Sequence, residues 1–219
     1  MAKRIFTSGD GLPAVTRRGF IAGLGGGAAL GLAGRAAGAT RAPLARTGAA
    51  ELTGPEIDLV IGAATANVTG RARPATVVNG SLPGPLLRLR EGDVATIRVR
   101  NEHADATAIH WHGVIVPATM DGVPGLSFHG IEPGATFTYR FRPRQSGTYW
   151  YHAHAGFQEQ EGVYGALVIE PREPAPYRYD REHVVLFSDW TDRDPAALYR
   201  LLKRDSDYFN YQKPTLGDF

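Results

Sequence analysis

The sequence predicts an all-β fold, an antiparallel sandwich or Greek-key barrel, on three observations. Between Pro55 and Pro171 short strand-like segments recur at intervals of about ten residues, separated by glycine, proline and asparagine turn signals. Several of them alternate apolar and polar side chains, the period of a half-buried strand. No helical pattern intervenes, so neither crossover helices nor a parallel α/β sheet is indicated.

Residues 1–39 stand apart from this pattern. Arg17 and Arg18 are adjacent, a weakly apolar run follows from Phe20 to about Ala33, and Ala37-Gly38-Ala39 offers small residues for cleavage. The run is too short and too rich in glycine to span a bilayer as a helix. The order of charge, apolar run and cleavage site reads as a twin-arginine signal, which delivers folded proteins to the twin-arginine export machinery, so the chain is expected to be periplasmic or otherwise exported. Residues 40–54 follow as a flexible mature N-terminus.

The first strand candidate is Ile57–Ile61. Turns follow at Asn79-Gly80 and at Pro83-Gly84-Pro85, and Gly92-Asp93 precedes the alternating run Ile97–Arg100. Phe137, Tyr139 and Phe141 alternate with Thr138, Arg140 and Arg142, and Leu167–Ile169 closes the domain at residue 171. Pro171, Pro174 and Pro176 mark a linker. Beyond it Val184–Phe187 reads as a new buried strand. Asp194-Pro195 reads as a helix start, with aspartate as N-cap and proline at the first helical position. Residues 172–219 thus read as a linker and the incomplete start of a second domain.

Charge and cysteine content narrow the function. The first 39 residues hold five basic side chains and one acidic, so the overall charge of +2 becomes −2 for the remainder. The basic balance belongs to the signal and gives no footprint for nucleic acid. The chain has no cysteine, hence neither disulfides nor a thiolate metal site.

The chemistry concentrates in two dyads, His110-Trp111-His112 and His152-Ala153-His154. In a strand, residues two apart face the same way, so two neighbouring strands could bring four imidazoles to one spot. A lone strand histidine is usually a satisfied structural residue; four of the chain's seven in two such pairs point instead to a transition metal. Asp121, in the turn Met120-Asp121-Gly122, is a candidate proton-handling carboxylate, though aspartate before glycine is also ordinary turn chemistry. Trp111 reads as packing, Tyr149, Trp150 and Tyr151 as core or interface aromatics, and His103, His129 and His183 as loop or surface residues. Gly113 and Gly122 read as tight backbone paths near the site.

His110-Trp111-His112-Gly113 with Asp121-Gly122, and Gly147-Thr148-Tyr149-Trp150-Tyr151-His152-Ala153-His154, resemble the first two copper signatures of the multicopper oxidases. Asn79–Pro85 and Gly162–Ile169 resemble the same family's first cupredoxin domain. His154–Gln160 and Ser188-Asp189-Trp190-Thr191-Asp192 resemble its exported copper-resistance branch, which is laccase-like. The resemblance covers roughly residues 55–219 and implies a cupredoxin-like Greek-key domain over 55–171. It further implies a trinuclear copper cluster at which dioxygen is reduced to water, with cuprous ion or a small phenolic compound as the reductant. His110 would bind the type 2 copper, His112 and His152 one copper of the type 3 pair, and His154 the other, with Asp121 in their outer shell. Later signatures of the family, His-x-x-His-x-His and His-Cys-His, are absent from these 219 residues. The chain is therefore expected to be the front part of a longer polypeptide, inactive without its missing C-terminal cupredoxin domains. A copper-binding module without turnover, or a truncated remnant that kept only the fold, is the alternative.

Overall fold

The computed structural model describes residues 42–48, 50–174 and 176–210. The export signal expected over 1–39 lies outside the described residues. Among the described residues nine strands form two sheets: β1 (Glu51–Thr53), β2 (Glu56–Asn67), β3 (Ala72–Val78), β4 (Leu86–Arg90), β5 (Ala95–Asn101), β6 (His110–His112), β7 (Thr136–Phe141), β8 (Gly147–His152) and β9 (Tyr164–Glu170). One sheet runs β1-β4-β9-β8-β6 and the other β3-β2-β5-β7.

The alternating segments became strands for the reason alternation suggests. Ile57, Leu59 and Ile61 of β2, Ile97 and Val99 of β5, and Tyr139 and Phe141 of β7 all point into the space between the sheets. They meet Leu87, Leu89, Trp111, Tyr151, Leu167 and Ile169 from the facing sheet, forming one apolar core. The far half of β2 turns Ala64 and Ala66 onto a smaller cluster with Ala75, Val77, Leu82 and Tyr164.

The pairing is not purely antiparallel, as the sequence had suggested. β2 runs parallel to β5, β4 to β9 and β1 to β4, beside antiparallel β2–β3, β5–β7, β6–β8 and β8–β9. Alternation reports which face is buried, not which way the neighbour runs, so strand direction could not be read from it. The stretch 40–54, expected to be flexible, holds β1, and the Ala45 and Thr65 amides donate to the carbonyls of Thr65 and Pro43.

Val184–Phe187, expected from its sequence to be a buried strand, joins neither sheet. The segment is extended with alternating exposure: Leu186 packs on the smaller cluster beside Trp190, whereas Phe187 is 90% exposed. An apolar run without polar alternation resembles a fully buried strand, but here only alternate residues find a surface to cover. The segment is fastened by polar contacts. Tyr164 donates to the Ser188 hydroxyl at 2.9 Å, Thr69 donates to Asp192 at 2.6 Å, and Glu182 joins Glu51 and Glu170 around the Arg88 guanidinium. Two helices complete the described chain, the single turn α1 (Gln158–Glu161) and α2 (Pro195–Arg204). At the start of α2 the Asp194 carboxylate accepts from the Ala197 amide at 2.5 Å, the N-cap anticipated from Asp194-Pro195.

Candidate metal centre

The first dyad lies on β6, at the edge of the five-stranded sheet, and β8 ends on the first histidine of the second. Their antiparallel register sets His110 opposite His152, Trp111 opposite Tyr151, and His112 opposite Trp150. Alternation then divides the chemistry between two faces. Trp111 and Tyr151 turn inward and are fully buried, while His110, His112, Trp150 and His152 share the outer face.

The inner face fixes the strands. Trp111 packs edge-on to Tyr139 at 5.2 Å, and the Tyr139 hydroxyl accepts the Ile109 amide at 3.0 Å, immediately before His110. Tyr151 donates to the Pro85 carbonyl at 2.8 Å and passes over Gly84 and Gly165; a Cβ at residue 84 would lie 2.6 Å from its oxygen. Both positions therefore require glycine while tyrosine stands at 151.

On the outer face the four imidazoles converge. The ring of His110 lies 5.7, 5.5 and 4.6 Å from those of His112, His152 and His154. His154 is placed differently from what the i, i+2 spacing suggested: β8 ends at His152, so His154 reaches the cluster from beyond the strand, on an exposed irregular segment. Its ring is nevertheless 4.8 Å from that of His152.

The ring nitrogens are differentiated by their partners. His110 Nδ1 meets the Asp121 carbonyl at 2.8 Å and the Asp121 carboxylate at 3.3 Å. A carbonyl only accepts, so Nδ1 carries the proton and Nε2 is left as the free donor atom. Asp121 reaches this position because Gly122, at φ +69°, presses so closely on β6 that a Cβ there would collide with the Ile109 carbonyl. His152 Nδ1 is held likewise by the Ala153 carbonyl at 3.1 Å, with the Glu159 carboxylate 2.6 Å away as a charged neighbour. His152 Nε2 then faces His112 Nδ1 at 3.1 Å.

That last distance tests whether a metal fits. Two imidazole nitrogens on a tetrahedral ion at about 2.0–2.1 Å stand roughly 3.3 Å apart. Donor atoms of His110, His112 and His152 all lie within 4.8 Å of one another. An all-imidazole donor set suits copper or another borderline transition ion and does not suit magnesium or calcium. Burial, above all, holds His152 and His154 below the usual imidazole range, with nearby imidazoles pushing the same way against Glu159, so both rings favour the neutral form that ligation requires.

Three further residues stand around the cluster: Trp150, expected only as a core or interface aromatic, and Glu159 and Gln158, to which spacing gave no role. Trp150 stacks on His152 with centroids 4.1 Å apart and planes 12° apart, and on His112 at 4.8 Å and 28°. Glu159 and the buried Gln158 lie on α1. Gln158 accepts from Thr107 at 2.6 Å and donates to the Ala106 carbonyl at 2.9 Å, tying the helix to the chain entering β6. His103, read as a loop residue in solvent, is largely covered; its Nδ1 accepts the Asp105 amide at 3.1 Å and its Nε2 lies 3.5 Å from Thr76 Oγ1. His129 and His183 are exposed.

Residues 60–174 match the family model described as multicopper oxidase. The chain belongs to the multicopper oxidase family. It is 55% identical over 204 residues to copper resistance protein A of Pseudomonas syringae pv. tomato, covering 93% of this chain and 34% of the relative. It is 42% identical over 118 residues to an L-ascorbate oxidase of Cucumis sativus, covering 52% of this chain and 20% of that one. Among solved multicopper oxidases, a laccase from B. aclada superimposes with a TM-score of 0.63 at 34% identity, over 73% of this chain and 30% of the laccase. An oxidase from Pseudomonas thermotolerans gives 0.53 at 36% identity, over 60% and 32%. The chain thus spans about a third of the length of the copper resistance relative. Copper is the metal of this oxidoreductase family, and the imidazole cluster lies within its matched region.

Proposed function

We propose that this chain supplies the first half of the oxygen-reducing copper cluster of a multicopper oxidase active in copper resistance. The observation that carries the reading is the convergence of four imidazoles, with His112 Nδ1 and His152 Nε2 facing each other 3.1 Å apart. His110 serves the type 2 copper, His112 and His152 one type 3 copper, and His154 the other. The later His-x-x-His-x-His and His-Cys-His ligands come from C-terminal cupredoxin domains, which are its structural partners. Bound copper supplies one-electron steps between a reductant, cuprous ion or a small phenol, and dioxygen, whose reduction to water takes four electrons and four protons.

The chain's own residues orient ligands and manage protons. The Asp121 carbonyl holds His110 Nδ1–H, directing Nε2 to the metal side, while its carboxylate lies 3.3 Å from the same ring. That carboxylate holds and releases a proton at the edge of the cluster. Neutral His152 and His154 keep their lone pairs available.

Export accords with this role. We assign residues 1–39 to a twin-arginine signal and the mature protein to the periplasm; among the described residues no helix is long and apolar enough to cross a membrane.

Copper binding by the isolated chain tests the reading. The wild-type chain is expected to bind copper, and a variant carrying His110→Ala, His112→Ala, His152→Ala and His154→Ala to bind none while keeping its circular dichroism spectrum. Equal copper binding by the two proteins would sink it.

A further inference from the structure

A charge beside His152 comes from seven residues further along the chain. His152 Nδ1–H donates to the Ala153 carbonyl at 3.1 Å, and Glu159 Oε2 lies 2.6 Å from the same nitrogen as an electrostatic contact. Glu159 is a residue of α1, a single helical turn with little stability of its own, so something else must hold it in place. Buried Gln158 does so, with side-chain bonds to Thr107 and Ala106 and with its backbone carbonyl accepting the Gly162 and Val163 amides. One residue of the turn is thereby locked into the sandwich, and the next is presented to the imidazole.

We propose that Glu159 is a positioning residue of the copper cluster: it holds His152 as the Nδ1–H tautomer, so that Nε2 alone faces the metal. The assignment rests on the reading of His152 as a copper ligand. A carboxylate behind a ligating imidazole is a recurrent arrangement, because it fixes the ring's tautomer and direction and makes the ligand more basic. Here the two Nδ1 partners, the carboxylate and the Ala153 carbonyl, are both acceptors, and neither can supply the proton that the alternative tautomer would require. The carboxylate also sets a negative charge beside a ring that would share a copper ion with His112. Trp150, stacked parallel to His152, restrains the ring plane, and Glu159 restrains rotation within it.

Two measurements on the 219-residue chain separate this inference from the reading beneath it. In the metal-free wild type, nitrogen-15 NMR at a pH where the ring is neutral is expected to show His152 protonated at Nδ1. Finding the proton on Nε2 overturns the proposal without any variant. In Glu159→Ala the Nδ1–H population is expected to fall, and copper affinity, measured by competition with a chelator, to drop by roughly 10–100-fold. Glu159→Gln retains an acceptor oxygen and is expected to recover much of the affinity. A Glu159→Ala protein with wild-type tautomer and wild-type affinity also overturns it. If the wild type binds no copper at all, the ligand reading fails, whereas the tautomer result still decides the role of Glu159.

Discussion

The two faces of the β6–β8 ribbon are built from the same three residue pairs and answer to different demands. Inward, Trp111 and Tyr151 are fully buried among aromatic and aliphatic neighbours. Outward, three imidazoles and Trp150 stand at the edge of the sandwich, partly open and held by a carbonyl, a carboxylate and ring stacking. The inward face makes the ribbon exist; the outward face uses it as a rigid mount. A site on strands whose opposite side is locked in a core is held more precisely than one on loops.

The largest effect separating the faces should come from Trp111→Ala. Removing a fully buried indole leaves a large cavity between Tyr139, Phe141 and Tyr151, and large aromatic truncations cost about 3–5 kcal/mol. Urea unfolding is expected to show a loss of that size. A cost below about 1 kcal/mol would mean that the inward face does not carry the ribbon. His112→Ala and His154→Ala are expected to cost much less stability, because those two side chains are exposed.

Trp150→Ala tests the boundary between the faces. Its ring is half-buried and stacks on both His112 and His152, contacts worth about 0.5–1.5 kcal/mol apiece beyond area burial. Stability should fall by less than for Trp111→Ala. Copper affinity should fall several-fold, because two ligand rings lose their platform, and Trp150→Phe should restore part of both. Unchanged affinity in Trp150→Ala would remove the indole from the site and leave it as simple cover.

The sequence made the inward face and the two dyads readable for one reason: a strand's period of two converts spacing directly into direction. Ile97, Val99, Tyr139 and Phe141 needed nothing more. Other features depended on partners that spacing does not name. Parallel β2–β5 pairing leaves no trace in alternation, and the apolar character of Val184–Phe187 suggested a buried strand where only Leu186 and its neighbours find cover. His154 lies past the end of β8, so its approach to His110 depends on an irregular segment rather than a strand. Glu159 was invisible as a partner of His152 because the contact requires the chain to fold back through α1, and the signal that could have flagged it, a carboxylate beside a glutamine after a metal-ligand dyad, has meaning only once Gln158 is known to be buried.

Acid should divide the faces by a smaller margin, acting on the outward one. Burial, the largest cause, holds the folded-state values of His152 and His154 below the ordinary 6.5. As the pH falls below 6.5, the unfolded chain takes up protons that the folded chain resists, so the unfolded state binds more protons and stability falls. The stability linked to these two rings is therefore present above that value and is lost as the pH drops through their folded-state values. For the metal-free chain, the urea midpoint should decline between pH 7 and pH 5. In a His152→Ala, His154→Ala double variant the decline should be shallower. Trp111→Phe, altered only on the inward face, should start lower and decline with the wild-type slope. If the double variant kept the wild-type slope, acid sensitivity would belong to other groups, and the outward imidazoles would be as indifferent to protons as the core behind them.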